Sequence, residues 1–152
     1  MTRYLSVSAV LLLSTLGVSA QEKKIDQSTL PPAVQKTVQE QSKGATIKGF
    51  STEREHGKTV YEAEMTVDGH SKDIQIAADG MLNEIEEEVV FSSLPSNVQS
   101  ALTAKAGGAK ITKVESLTKH NKLVAYEAAT LKGTKKGEIQ VGPEGGKLSH
   151  GE

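Results

Sequence analysis

The sequence predicts an α+β protein built as a tandem repeat, in which a helix is followed by a four-stranded antiparallel meander and packs on one face of that sheet. Three observations support this prediction. The segment LPPAVQ at residues 30–35 returns 64 residues later as LPSNVQ at residues 94–99. Apolar residues recur at every fourth position through both segments, and glycine-containing pairs separate later runs in which apolar and polar residues alternate.

Residues 1–20 have the layout of a cleavable signal peptide. Arg3 supplies a positive charge, the stretch from Val7 to Val18 is almost wholly apolar, and small residues lead up to Ala20. The apolar run is shorter than the roughly 20 residues that a membrane-spanning helix needs. We therefore predict a signal peptide at 1–20, a first repeat at 21–91 and a second repeat at 92–152. The mature protein is expected in the periplasm or outside the cell, with no membrane span after signal cleavage.

Each predicted repeat opens with a short amphipathic helix. Proline is tolerated in the first turn, where its missing N–H has no intrahelical partner, and Gly44 and Gly107 mark the predicted ends. The apolar positions form one stripe in each helix: Leu30, Val34 and Val38 in the first, and Leu94, Val98 and Leu102 in the second. Helices of about three turns are marginal alone, so both must pack on an apolar sheet face.

Four strands are predicted to follow the first helix, at residues 46–54, 58–67, 72–77 and 81–90. The turns between them contain glycine, and Asp-Gly pairs favour tight antiparallel hairpins. In the second strand Tyr61 alternates with Glu62 and Glu64, so the tyrosine should face the helix and the glutamates should face away. The matching Tyr126 of the second repeat is expected to face its helix in the same way.

The sheet face turned away from the helices is the candidate binding surface. In the second repeat this face is mostly apolar, whereas the first repeat has glutamates there. Such residues either pack against the other repeat or are left for a partner. The predicted binding residues are Glu62, Glu64, Leu123, Ala125, Glu127, Ala129 and Leu131.

Charge is distributed unevenly along the chain. Residues 21–91 hold 14 acidic and 8 basic side chains, whereas residues 92–152 hold 5 acidic and 9 basic ones. The acidic run at residues 84–88 is either a solvated edge or a surface that docks against the lysine-rich second half. The basic half has no arginine and only Tyr126 as an aromatic residue, so nucleic acid is not expected as a partner.

No catalytic residue, metal site or cofactor is predicted. The chain has no cysteine and no Gly-x-Ser-x-Gly motif, and its four histidines form no pair with ligand spacing. His56 and His120 occupy the same turn of the two repeats, as solvated turn residues or as a weak bridging metal site. The segment around Asp79 lacks the earlier ligands of a calcium loop.

The order of these motifs resembles the PepSY-like, beta-lactamase-inhibitor-like family. The matching pieces in the first repeat are residues 30–35, Gly44, Ile47, Gly57-Lys58, Tyr61-Glu62-Ala63 and Asp79-Gly80. The second repeat keeps most of them but has Asn121-Lys122 in place of Gly-Lys and Glu144 in place of the aspartate. The resemblance implies an exported bacterial protein of helix-and-sheet architecture, with a sheet face that grips a target and without catalytic or metal-binding residues.

Together these observations predict an exported, non-enzymatic protein-binding module. Its partner would be another envelope or secreted protein, and one specific form of this role is inhibition of a secreted or periplasmic enzyme. The alternative is a periplasmic protein that binds a small molecule or a metal ion, with the acidic strand and the turn histidines as ligands.

Overall fold

The computed structural model describes residues 22–148, which form one eight-stranded antiparallel sheet and two α-helices. The predicted signal peptide lies outside this range. Neither helix within it has the length and apolar character needed to cross a membrane. A short 3-10 turn precedes each helix. The elements in chain order are β1 Lys23–Ile25, α1 Pro32–Gln41, β2 Thr46–Glu55, β3 Lys58–Val67, β4 His70–Ala77, β5 Leu82–Glu88, α2 Ser96–Ala106, β6 Lys110–Lys119, β7 Lys122–Lys132 and β8 Lys135–Val141.

The predicted tandem of a helix and a four-stranded meander is wrong. The strands follow one another in a single sheet in the order β1 to β8, and β5 pairs with β4 on one side and with β6 on the other. Only three strands follow α2 within residues 22–148. The protein is therefore mostly one β-sheet, and the helices are two short additions to it.

The role of β5 explains the error. In front of α1, Ile25 of β1 lies opposite Phe50 of β2. In front of α2, the chain leaving β5 takes the same place: the Val89 N–H donates to the Val114 carbonyl at 2.9 Å. The strand that was predicted to end the first repeat thus also starts the second half. Because β5 is bonded on both sides, two separate sheets do not form.

Both helices pack on the same face of the sheet. Val34 and Val38 of α1 lie in a cluster with Ala63, Met65 and other side chains of β3 and β4, and Tyr61 packs against this cluster. The second cluster joins α2 to the other end of the sheet, and Tyr126 packs against it. Its buried members are Leu94, Val98, Leu102, Val114, Ala128 and Val141. Both tyrosines therefore face the helices, as the alternation predicts.

The repeated sequence motifs hold each helix in place. The side-chain amides of Gln35 and Gln99 donate to the carbonyls of Leu30 and Leu94, both at 2.8 Å, which bonds the first turn of each helix to the segment before it. Gly80 allows a close approach to α1, because a Cβ atom there would lie 2.8 Å from the Ala33 carbonyl oxygen. Its φ of 90° is also in the region that favours glycine.

Candidate functional site

The sheet face opposite the two helices, which we call the outward face, is uncovered by any other element within residues 22–148. One row of directly opposed residues crosses five of its strands. The row runs through Glu64, Asp73, Glu86, Leu117 and Ala125. Opposed residues of neighbouring strands lie on the same side of a sheet, so this row combines three carboxylates with two apolar side chains on one surface.

The outward face is hollow. Leu117 is only 8% exposed and Ala125 only 2% exposed, although both belong to the uncovered side of the sheet. Neighbouring outward side chains must therefore cover them. Beside them lies a shallow hollow that opens to solvent, with a cavity volume of only about 20 Å³. Its lining residues are Glu53, Glu62, Asp73, Ile74, Gln75, Glu84 and Glu86.

Several carboxyl groups of this face have a raised pKa, because burial disfavours their ionised form. Burial, followed by repulsion from Glu84 and Glu115, raises the pKa of Glu86 to about 9. Burial also raises the pKa of Asp73 to about 6, with Glu64 as the next contribution. For Glu62 burial raises the pKa to about 7, against a hydrogen bond donated by the Ser51 hydroxyl at 3.1 Å.

The same effect recurs at the β7–β8 end of the face. Burial, followed by a hydrogen bond and repulsion from Glu127, raises the pKa of Glu138 to about 8. The two residues lie on neighbouring strands, where Gln140 donates a hydrogen bond to Glu127. Desolvated acidic groups are thus spread from β3 to β8.

Two lysines pair with carboxylates of this surface, and Lys113 also favours the ionised form of Asp73. Lys113 contacts Glu115 at 2.6 Å, and Lys119 contacts Glu84 at 2.8 Å. Within residues 22–148 no salt bridge reaches Asp73 or Glu86. The acidic run is therefore not a solvated edge: β5 is an interior strand, and its Glu84 does dock against a lysine of the second half.

Three carboxylates could hold a cation. One oxygen each of Asp73, Glu86 and Glu115 lies within 4.8 Å of the others. Carboxylate oxygens are ligands that calcium accepts. His56 and His120 are not part of this group; both are exposed turn residues, with φ of 48° and 46°.

Six of the seven predicted binding residues lie on the outward face. Their register partners there are Gln75 for Glu62, Asp73 for Glu64, Leu117 for Ala125, Glu115 for Glu127, Lys113 for Ala129 and Lys136 for Leu131. Leu123 is displaced, because a bulge at Val124 brings it opposite Thr118 on the helix side of the sheet. Strict alternation along β7 cannot anticipate an inserted residue.

Asp73 and Glu138 were not predicted as members of this surface, and Glu86 was predicted only as part of the acidic run at residues 84–88. Asp73 and Glu86 alternate with the inward residues Ile74 and Ile85, so the period-two pattern carried a signal for them. Glu86 lies opposite Leu117 because β5 pairs with β6, and the prediction of two separate sheets did not include that pairing.

Comparison with known proteins finds similarity only among solved structures. No protein-family model and no curated protein matches the chain. A BLIP-like protein from Bacteroides fragilis is 26% identical, with a TM-score of 0.57, over 82% of this chain and 89% of that protein. A protein from Bacteroides eggerthii, labelled periplasmic, is 16% identical with a TM-score of 0.62, over 78% and 86% of the two chains.

A DUF2874 family protein from Bacteroides ovatus is 17% identical with a TM-score of 0.60, over 78% of this chain and 85% of that protein. These likenesses support the fold implied by the predicted resemblance, whereas the PepSY-like name and the two tandem copies are not supported by them. The predicted periplasmic or secreted location agrees with the label of the Bacteroides eggerthii protein. The chain therefore has a BLIP-like fold, similar to that of the protein from Bacteroides fragilis.

Proposed function

We propose that the mature chain is an exported, non-enzymatic protein-binding module that uses its outward face to bind another envelope or secreted protein. The observation that carries this proposal is the set of half-buried carboxyl groups on an uncovered face, of which Asp73 and Glu86 make no salt bridge within residues 22–148. The signal peptide predicted at residues 1–20 would direct the export.

Energetics support a functional role for this face. Burying a carboxylate without a counter-ion costs several kcal/mol, and a well-packed aliphatic side chain at Glu86 would avoid that cost. The fold itself does not use these groups, because both apolar clusters lie on the other side of the sheet. Desolvated and mutually repelling titratable groups concentrate at functional sites.

The size of the face is also sufficient. The seven longer strands, β2 to β8, are spaced by about 4.8 Å and span roughly 29 Å, and their average length of about nine residues runs for about 30 Å. The product is about 870 Å², close to the roughly 800 Å² that each partner buries in a stable complex. A single folded partner could therefore cover this surface.

Inhibition of a secreted or periplasmic enzyme is the specific form of binding that we propose. The Bacteroides fragilis neighbour is described as BLIP-like, and this description supports an inhibitory role.

A capture experiment tests the proposal. The mature chain should retain a specific protein from an envelope extract of the bacterium that encodes it, and the triple variant E62Q/E127Q/L131A should lose that protein. The matched control E40Q/D68N/M81A also removes two acids and one apolar side chain, but at exposed positions outside the outward face. Equal recovery by both variants and the wild type would contradict the proposed face.

The second candidate function is metal-ion binding. It is favoured by the proximity of the carboxylate oxygens of Asp73, Glu86 and Glu115. Native mass spectrometry in the presence of calcium or zinc separates the two functions, since a protein-binding face predicts no stoichiometric metal.

A further inference from the structure

We propose that the free edge of β8 is a dimerisation site, at which β8 pairs antiparallel with β8 of a second copy of this chain and joins the two sheets into one. This inference goes beyond the proposed binding function and does not depend on it. It commits the edge to one occupant, and the register of the pairing follows from backbone geometry and charge.

The outer side of β8 has backbone groups available for another strand. β8 ends the sheet, and no strand within residues 22–148 pairs with its outer side. Lys132 and Lys135 flank the two-residue turn of the β7–β8 hairpin and form its closing hydrogen-bonded pair. Every second residue from there bonds to β7, so the N–H and C=O groups of Lys136 and Glu138 point away from β7.

Lys105 of α2 marks where the pairing ends. Its ammonium donates to the Gln140 carbonyl at 2.6 Å, which confirms that the even-numbered residues of β8 point their carbonyls outward. The same contact places the lysine side chain where a further strand would lie. The earlier part of β8, residues 135–137, is exposed. A second strand therefore pairs with the first part of β8.

Charge selects one register for this pairing. Two identical antiparallel strands are related by a two-fold axis. With the axis at Gly137, Lys136 lies opposite Glu138 of the second copy in a hydrogen-bonded pair, with Cα atoms about 5.5 Å apart. The axis at Lys136 would oppose two lysines, and the axis at Glu138 would oppose two glutamates, which is destabilising. Only the register centred on Gly137 forms two ion pairs of opposite charge.

Glu138 lacks a cation in the single chain. Burial, followed by a hydrogen bond and repulsion from Glu127, raises the pKa of Glu138 to about 8. Within residues 22–148 neither Glu138 nor Lys136 forms a salt bridge. Both side chains lie on the outward face, opposite Ala129 and Leu131 of β7. A lysine of the second copy thus supplies a positive charge that this end of the sheet lacks.

The helices leave room for the second copy. α2 packs near Ile139 and Val141, in the second half of β8. The two-fold axis at Gly137 therefore places the two copies of α2 at opposite ends of the paired strands. Because this axis is perpendicular to the sheet, both outward faces lie on the same side of the dimer.

The other edge of the sheet does not offer the same pairing. β1 has three residues, and two of them are Lys23 and Lys24. A pair of β1 strands would bring like charges together and form few hydrogen bonds. Self-association is accordingly assigned to β8.

Sedimentation equilibrium of the mature chain, residues 21–152, tests the proposal. The protein is measured at neutral pH from roughly 0.01 to 1 mM, a range that spans the expected affinity. We expect a reversible monomer–dimer equilibrium with a Kd on the order of 0.1 mM, because the ladder is short and each hydrogen bond adds little net affinity.

Charge reversal on β8 locates the contact. K136E and E138K should each weaken dimerisation at least about tenfold, since each opposes like charges at both symmetric pairs. The double variant K136E/E138K exchanges the two charges and should return the Kd to within about threefold of the wild type. The matched control K36E reverses an exposed lysine on α1 and should leave the Kd unchanged.

Several results would overturn the proposal. They are a monomer at every concentration, a dimer that neither single variant weakens, an equal loss in K36E, or no recovery in the double variant. Far-ultraviolet circular dichroism shows whether each variant is folded, and if one single variant unfolds, the other supplies the same comparison with the wild type. The capture experiment is read separately, so failure of the dimer leaves the proposed function standing.

Discussion

Replacing Glu86 by glutamine should stabilise the protein at neutral and alkaline pH and change its stability little in acid. Burial, followed by repulsion from Glu84 and Glu115, raises the pKa of Glu86 from 4.5 to about 9. In the unfolded chain this carboxyl ionises at its ordinary pKa. Between those two values the unfolded state therefore binds fewer protons than the folded state, and the stability of the wild type falls as pH rises. Glutamine does not ionise and removes this loss.

The size of the expected gain in stability follows from the pH range between the pKa values of Glu86 in the unfolded and folded states. Each pH unit between the two pKa values corresponds to about 1.4 kcal/mol, so the ideal loss between pH 4.5 and pH 8 is about 5 kcal/mol. The hollow opens to solvent, and an ionised Glu86 can turn towards water, which recovers part of the loss. We therefore expect the free energy of unfolding of E86Q to exceed that of the wild type by about 2 kcal/mol at pH 8, and to match it within about 0.5 kcal/mol at pH 4.5.

The assay is urea unfolding followed by far-ultraviolet circular dichroism at pH 4.5, 6 and 8, because the chain contains no tryptophan. E40Q is the matched control: it removes one carboxyl from an exposed position on α1 and should show no gain that grows with pH. If E86Q gains nothing at pH 8, or gains the same amount at all three values, the claim that the outward face desolvates Glu86 is refuted.

Three further substitutions, the first compared with Gly69→Ala as its control, test the packing that positions this face, and each is read from urea unfolding curves. Gly80→Ala should lower the free energy of unfolding by about 2 kcal/mol or more, because the new Cβ would lie 2.8 Å from the Ala33 carbonyl oxygen. Gly69 also has a positive φ but has open space around it, so Gly69→Ala should lower the free energy of unfolding by only about 1 kcal/mol. Gln99→Ala should cost about 1 kcal/mol through loss of its hydrogen bond to Leu94, and unchanged stability would contradict that bond. Leu102→Ala should lower the free energy of unfolding by about 2–5 kcal/mol, since its side chain is fully buried between α2 and the sheet; a smaller loss would show that α2 packs loosely.

The local parts of this fold could be predicted from the sequence. Spacing by four residues identified the buried stripes of both helices, with Val34 and Val98 fully buried. Alternation identified the side of the sheet on which Tyr61 and Tyr126 lie. These features depend on neighbours within a few residues, which is why periodicity reveals them.

The parts that depend on distant pairing could not be predicted. Residues 81–90 have the same pattern whether they end one sheet or join two, and the bonding of β5 to β6 is decided by contacts about 30 residues apart in sequence. The bulge at Val124 is likewise invisible in a pattern of alternating residues, and it moved Leu123 to the other side. Both errors concern how neighbouring strands pair.

Site-specific photo-crosslinking tests most directly whether the outward face is the binding surface. A benzophenone side chain placed at Ala129, which faces outward from β7, is compared with one placed at the exposed Thr103 on α2. In an envelope extract, position 129 should form a discrete adduct with one protein while position 103 forms none. An adduct that forms only from position 103 would place the partner on the helix side and contradict the account.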